Sequence, residues 1–175
     1  GDSFYAKWYN FGGSDEVRAN DINKMFRDKN IKAILTVRGG YGSIRLLDLI
    51  DFEAIKKNPK IFVGYSDITT LLLAINQKTG LVTFHGPMSS NYKNFDEITK
   101  KSFFDTVMNN KSSYELSDYS NAALRVIREG KASGEIVGGN LSLIIASLGT
   151  EYEIDTKGKI LFIEEVGEYT YRIDR

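Results

Sequence analysis

The stretch Lys60–Asp67, Lys-Ile-Phe-Val-Gly-Tyr-Ser-Asp, constrains the fold of this chain more than any other. Ile61-Phe62-Val63 is a short apolar run between Pro59 and Gly64, which is how a strand buried in a parallel sheet reads. Ile68 to Ile75 are rich in Leu, Ile and Ala and predict a helix. A strand that turns into a helix over Gly64-Tyr65-Ser66-Asp67 has the architecture of a nucleophile elbow. Such a turn lifts the serine hydroxyl clear of the sheet, and the helix N-terminus behind it favours developing negative charge. The G-x-S-x-G pattern is incomplete, because Ile68 stands where the second glycine would be. On this stretch alone, a helix cap is the commoner job for Ser66 or Asp67.

The flanking sequence repeats the alternation. Ser14-Asp15 opens a helix whose apolar face is Val17, Ala19, Ile22, Met25 and Phe26. Ile31 to Val37 predicts a buried strand, ended by Arg38-Gly39-Gly40-Tyr41-Gly42, a tight turn where backbone must come close to something. Ser43 and Asp51 are candidate caps for helices over Ile44–Ile50 and Phe52–Lys57. Gly80 stops the elbow helix, and Leu81–Phe84 is a third strand, ended by His85-Gly86-Pro87. This order predicts a parallel α/β sheet, with ligands bound at the carboxyl ends of the strands. The loops Arg38–Gly42, Gly64–Asp67 and His85–Pro87 should therefore meet in one crevice.

Further along, Glu97–Asn109 predicts an amphipathic helix, and residues 1–13 and 89–95 read as loops. Polar, linker-like sequence with a short strand over Ala123–Ile127 places a boundary at residues 112–132. The expected division is an α/β nucleophile domain over 1–111, a linker, and a second domain opening at 133. In the latter, Ala132–Val137 starts a strand, Gly138-Gly139-Asn140 makes a second glycine turn, and Leu141–Leu148 is a helix. Lys159–Glu164 is a strand that ends in the acidic run Glu164-Glu165-Val166-Gly167-Glu168.

Composition narrows the chemistry. Basic and acidic residues balance at 23 each, so no basic excess points to nucleic acid or an anionic membrane. With no cysteine, disulfides, thiolate catalysis and cysteine-held metals are excluded, and one histidine cannot build a multi-histidine metal site. No apolar run reaches membrane-spanning length, and a cytoplasmic location is the expectation. A serine nucleophile then needs a base and preorganised donors for an oxyanion. The backbone N–H of Asp67 and one from Gly39-Gly40 could supply the donors, while a plain turn or a phosphate cradle lacking the P-loop lysine accounts equally for those glycines. His85 is either the base or a loop-holding residue, and Glu164, Glu165 and Glu168 are either a triad acid or a solvated acidic loop. The Asp67 side chain reads as a helix cap. Tyr41 and Tyr65 line the pocket or pack in it, and Trp8 packs or forms part of a lid.

Taken together, Val37–Gly42, Asn58–Thr69, Gly80–Met88, Gly138–Ser142, Lys159–Glu168 and Tyr171–Arg175 resemble peptidase family S66, in order and at family-like spacing from about Phe11 to Arg175. That family holds the LD-carboxypeptidases and the microcin C immunity peptidases. The resemblance implies an N-terminal domain like the class I glutamine amidotransferases and a mostly β C-terminal domain, with the site between them. It also implies a Ser-Glu-His triad, with Ser66 as nucleophile, Glu164 as the acid and Glu168 as the alternative acid. The oxyanion donors are then the N–H groups of Asp67, Gly39 and Gly40. No metal or organic cofactor is implied. The substrate is a murein tetrapeptide that loses its terminal D-alanine, and the partner beyond it is a second copy in a homodimer. An aminoacyl-nucleotide antibiotic is the rival substrate, mildly disfavoured because no tryptophan follows His85. From another class, a non-catalytic α/β binding domain is the third reading. The resemblance argues against His85 as the triad base, which it puts beyond Arg175, and puts a further strand before Gly1. On that reading the chain is part of a longer protein and should be inactive by itself.

Overall fold

The computed structural model describes residues 1–109, 113, 115 and 125–175. Three parallel strands, β1 (Ala33–Leu35), β2 (Ile61–Gly64) and β3 (Phe84–His85), form one sheet in that order. The register pairs Leu35 with Val63 and Gly64 with His85, so the three carboxyl ends lie along one edge. The loops beyond them are tied together: the N–H groups of Ser89 and Ser90 donate to the carbonyls of Thr36 and Val37, and that of Gly86 to Gly64. The strands are shorter than the apolar runs that announce them: β1 gives way at Thr36 and Val37 to these loop contacts, residues 81–83 carry no strand, and β3 runs on into His85.

Helices α1 (Asp15–Arg27), α2 (Phe52–Lys57) and α3 (Thr69–Thr79) pack on this sheet. Ser14 caps α1 and Asp51 caps α2, each accepting a backbone N–H three residues on. Gly80 ends α3 at φ 74°, the left-handed conformation that glycine adopts without penalty. Phe26 and Phe62 stack at 5.9 Å in a core completed by Ile34, Leu46, Ile55, Leu71 and Ile75. Burying side chains of this size stabilises the fold by about 1.5–3 kcal/mol each before conformational entropy is subtracted.

A second, two-stranded parallel sheet pairs β4 (Ile136–Asn140) with β5 (Ile160–Glu164), and α4 (Glu97–Val107) precedes it in the chain. Two short helices, α5 (Leu141–Ser147) and α6 (Thr170–Asp174), follow the two strands. Every residue of α3 from Thr69 to Ile75 is buried, since this helix has the first sheet on one side and β4 and α5 on the other. Sequence apolar on all sides is what such a position requires.

Four expectations need correction. Gly138-Gly139 is no turn: both glycines lie inside β4, and a Cβ on Gly138 would sit 1.7 Å from the Phe162 carbonyl oxygen. Their absent side chains let β4 press against β5. Ser43 leads into a 3₁₀ turn, Ile44–Leu49, and does not cap it, because its hydroxyl is used elsewhere. Residues 89–95, expected as a loop, contain a 3₁₀ turn over Ser89–Asn94. Arg125–Ile127 carry no strand, while Ala123 and Leu124 lie outside the described residues. The N-terminal segment is held by Asp21, whose carboxylate accepts the N–H groups of Asp2 and Ser3. Trp8 packs on Phe11 through a single antiparallel bridge.

Candidate active site

Ser66 lies two residues past the end of β2 and has φ 60°, one of only two non-glycine residues with positive φ among those described. A left-handed serine between a buried strand and a helix is strained by roughly 1–2 kcal/mol and persists only where the surroundings impose it. Gly64 is part of that imposition. A Cβ there would lie 2.6 Å from both Ile68 Cγ2 and Thr36 Oγ1. Ile68 thus fills the space over Gly64, which explains how the turn forms with isoleucine at the second glycine position. Ser66 is half-buried, makes no capping hydrogen bond, and among the described residues none hydrogen-bonds its Oγ.

Gly39 from the loop after β1 faces this serine. A Cβ on it would stand 3.1 Å from Ser66 Cβ, 3.2 Å from Ser66 Oγ and 3.4 Å from the Asp67 nitrogen. The missing side chain leaves a small space flanked by the hydroxyl and a helix-start N–H, where a carbonyl oxygen could be held. Gly40 follows with φ 123°, out of reach for other residues without strain.

The Asp67 side chain does not cap the helix. It is buried and turns back to the glycine loop, where one oxygen accepts the Gly42 N–H at 3.2 Å and the other the Ser43 N–H at 2.9 Å. Two donors fixed by a neighbouring loop outcompete the helix's own first turn. No sequence signal pairs Asp67 with residues 24 and 25 positions earlier.

At the end of β5, neighbouring glutamates meet opposite fates. Glu165 accepts from the Ser142 N–H at 3.1 Å, the Ser142 hydroxyl at 2.5 Å, Asn140 Nδ2 at 3.4 Å and the Val166 N–H at 2.7 Å. Burial pushes its carboxyl up, yet these donors outweigh burial and hold it below the usual range. Glu164 is half-buried, and its Oε1 is shielded from solvent with no hydrogen-bond partner. An unpartnered buried acceptor costs about 1–3 kcal/mol. Glu168 pairs with Arg172 one helical turn on, at 3.3 Å, which accounts for it without catalysis.

β4 joins this strand end to the elbow. Its last residue, Asn140, lies opposite Glu164 and donates its N–H to Thr69 Oγ1 at 3.0 Å, three residues past Ser66. His85 sits at the same junction, 5.2 Å from the Phe162 ring and 6.2 Å from Tyr65. A Cβ on Gly139 would lie 3.3 Å from His85 Nδ1, so the glycine makes room for the ring. Burial lowers the His85 pKa and the charge of Glu164 partly opposes this. His85 keeps an exposed edge at this junction and does not hydrogen-bond Ser66. Tyr65 donates its hydroxyl to Asn91 at 3.3 Å and, with His85, Pro87 and Phe95, lines a cleft of about 420 Å³ beside the elbow. Tyr41 is exposed at the outer end of the glycine loop.

Comparison with known proteins gives this geometry a context. The LD-carboxypeptidase N-terminal domain model matches residues 1–86, and the LD-carboxypeptidase C-terminal domain model matches residues 133–175. A probable murein peptide carboxypeptidase of Bacillus subtilis (strain 168) is 50% identical over 168 residues, covering 93% of this chain and 51% of that protein. A crystal structure of an MccF-like protein from Bacillus anthracis str. Ames superposes with a TM-score of 0.76 at 40% identity, covering 87% of this chain and 52% of that one. That of muramoyltetrapeptide carboxypeptidase from Oxalobacter formigenes superposes with a TM-score of 0.79 at 30% identity, covering 95% and 56%. The chain spans about half the length of the curated relatives it matches. Both domain models of one family, matched in order around the strained serine and the unpartnered glutamate, carry the assignment: this chain belongs to peptidase family S66.

Proposed function

We propose that the protein carrying this chain is a serine LD-carboxypeptidase that removes the terminal D-alanine from murein tetrapeptides. One observation carries the chemistry: Ser66 is held at φ 60° with its hydroxyl beside Gly39 and the Asp67 N–H. Ser66 Oγ attacks the carbonyl carbon of the bond between the L-centre of the diamino acid and D-alanine. The oxygen takes up negative charge and is held by the N–H of Asp67 and one from the Gly39-Gly40 loop. The serine proton passes to a histidine and then to the leaving amine, so D-alanine departs and an ester to Ser66 remains. Water hydrolyses that ester.

Glu164 is the acid that would receive the other N–H of this histidine, and its unpartnered Oε1 supports the role. Glu168, already paired with Arg172, is the weaker candidate. The reading puts the histidine beyond Arg175. It treats residues 1–111 as the nucleophile domain, 112–132 as a linker and 133–175 as the opening of the second domain. The second family match, which begins at 133, supports the opening of the second domain there, and residues 87–132 lie in neither match. It also carries a cytoplasmic location and a homodimer, both taken from the family resemblance.

The substrate rests on the relatives named for murein peptides. A relative named as the microcin C7 self-immunity protein of Escherichia coli, 34% identical over 190 residues, supports the rival antibiotic substrate. The two readings separate in one assay of the whole protein. Release of D-alanine from an LD-tetrapeptide, with an aminoacyl sulfamoyl adenosine left intact, is the expected result. Cleavage of the nucleoside compound alone would replace the murein reading with the rival, and cleavage of neither would leave a binding domain.

A further inference from the structure

We propose that the Asp67 side chain is a positioning residue that assembles the oxyanion site by clamping the glycine loop to the elbow. The proposal rests on the peptidase reading above. Its starting point is that the two sets of donors come from separate pieces of chain. One is the N–H of Asp67 on the elbow, and the other belongs to the loop after β1. Donors must sit about 2.7–3.1 Å from one oxygen to stabilise it, so the two loops need a fixed separation.

The loop cannot supply that fixity by itself. Gly40 and Gly42 have φ 123° and 114°, conformations open to glycine and to little else, and such a segment is intrinsically free to rearrange. The Asp67 carboxylate restrains it from outside, one oxygen on the Gly42 N–H and one on the Ser43 N–H. The Ser43 hydroxyl returns the contact by donating to the Asp67 carbonyl, and it lies 2.6 Å from the Thr70 hydroxyl on α3. All three residues are buried. The residue that offers one oxyanion donor thus holds, through its own side chain and carbonyl, the loop that offers the other. Clamped to the elbow at Gly42 and Ser43, the loop is fixed where Gly39 stands against Ser66 Oγ. A carboxylate suits the task because it accepts two hydrogen bonds and donates none, whereas an asparagine would accept one and turn an amide donor towards the other N–H.

The test uses the whole protein and the substitution Asp67→Asn. Three quantities are read: the rate of Ser66 phosphonylation by a fluorophosphonate, the affinity for a peptide boronate, and the affinity for the cleaved tripeptide. The boronate forms a tetrahedral adduct whose oxygen occupies the oxyanion site, while the tripeptide product makes no such demand. The first two should fall about 10- to 100-fold with tripeptide affinity held within about twofold. Phosphonylation and boronate binding both within about twofold of wild type would overturn the proposal, as would an equal loss of boronate and tripeptide binding. If Asp67→Asn does not fold, Ser43→Pro decides: Ser43 has φ −66°, which proline accepts, and the change opens the clamp from the loop side by replacing the N–H held by Asp67 and removing the hydroxyl that donates to the Asp67 carbonyl. The same selective loss is expected there, and its absence refutes the clamp. A wild-type protein that is never labelled at Ser66 refutes the peptidase reading itself, and the two failures are told apart by that control.

Discussion

The ends of β2 and β5 differ in how far their polar groups are satisfied. At the end of β2, both Asp67 carboxylate oxygens, the Asp67 carbonyl and the hydroxyls of Ser43 and Thr70 are used within the described residues. At the end of β5, Glu165 is saturated while Glu164 keeps a buried oxygen without a donor. On the proposed function, the difference separates two tasks. An oxyanion site must be rigid before substrate arrives, so its hydrogen bonds are made in advance. A triad acid must keep an acceptor for a histidine, so a lone pair has to stay open. Glu165 fixes Asn140 and Ser142 beside it.

That contrast can be broken at several points in the whole protein. Ser66→Ala should lower kcat the most, by roughly 10⁴- to 10⁶-fold, measured as D-alanine release. Glu164→Gln should follow at about 10³- to 10⁴-fold in kcat, because a neutral amide stabilises the protonated histidine less well than a carboxylate does. Gly39→Ala should cost about 10²-fold in kcat, since its Cβ would enter the space beside Ser66 Oγ and the Asp67 nitrogen. Glu165→Ala should act mainly on stability, by about 1–3 kcal/mol, read by chemical denaturation. If Glu165→Ala instead reduced activity as Glu164→Gln does, the assignment of the two neighbours would have to be exchanged.

The smallest effect concerns His85. Burial lowers its pKa, with Glu164 opposing only in part, so the folded protein binds this proton less readily than the unfolded chain. The unfolded state therefore takes up more protons as pH falls below the ordinary value of 6.5, and stability rises with pH across that window. This contribution is complete above that value and is lost as pH falls through it towards the folded pKa. His85→Asn should flatten the stability profile between about pH 7 and 5, followed by thermal unfolding at each pH. An unchanged profile would mean that other groups dominate.

Much of the first sheet was legible in the sequence, and the reason is local. Ile61–Val63, the glycine turn at Arg38–Gly42 and the capping residues Ser14 and Asp51 each carry their instruction within a few positions. What failed was decided by contacts distant in sequence. Asp67 reads as a cap because its partners, Gly42 and Ser43, lie a whole strand and helix away. Gly138-Gly139 reads as a turn because only the Phe162 carbonyl and the His85 ring reveal that a side chain has no room. The left-handed backbone of Ser66 has no signal of its own, since Ile68 replaces the glycine that usually advertises an elbow.

The account stands on Ser66 as the nucleophile. The most direct measurement is the intact mass and peptide map of the whole protein after treatment with a fluorophosphonate. We expect one adduct per chain, on the peptide containing Ser66, slowed severalfold or more by Glu164→Gln and abolished by Ser66→Ala. A folded protein that gains no adduct, or gains it on another residue, would contradict the account.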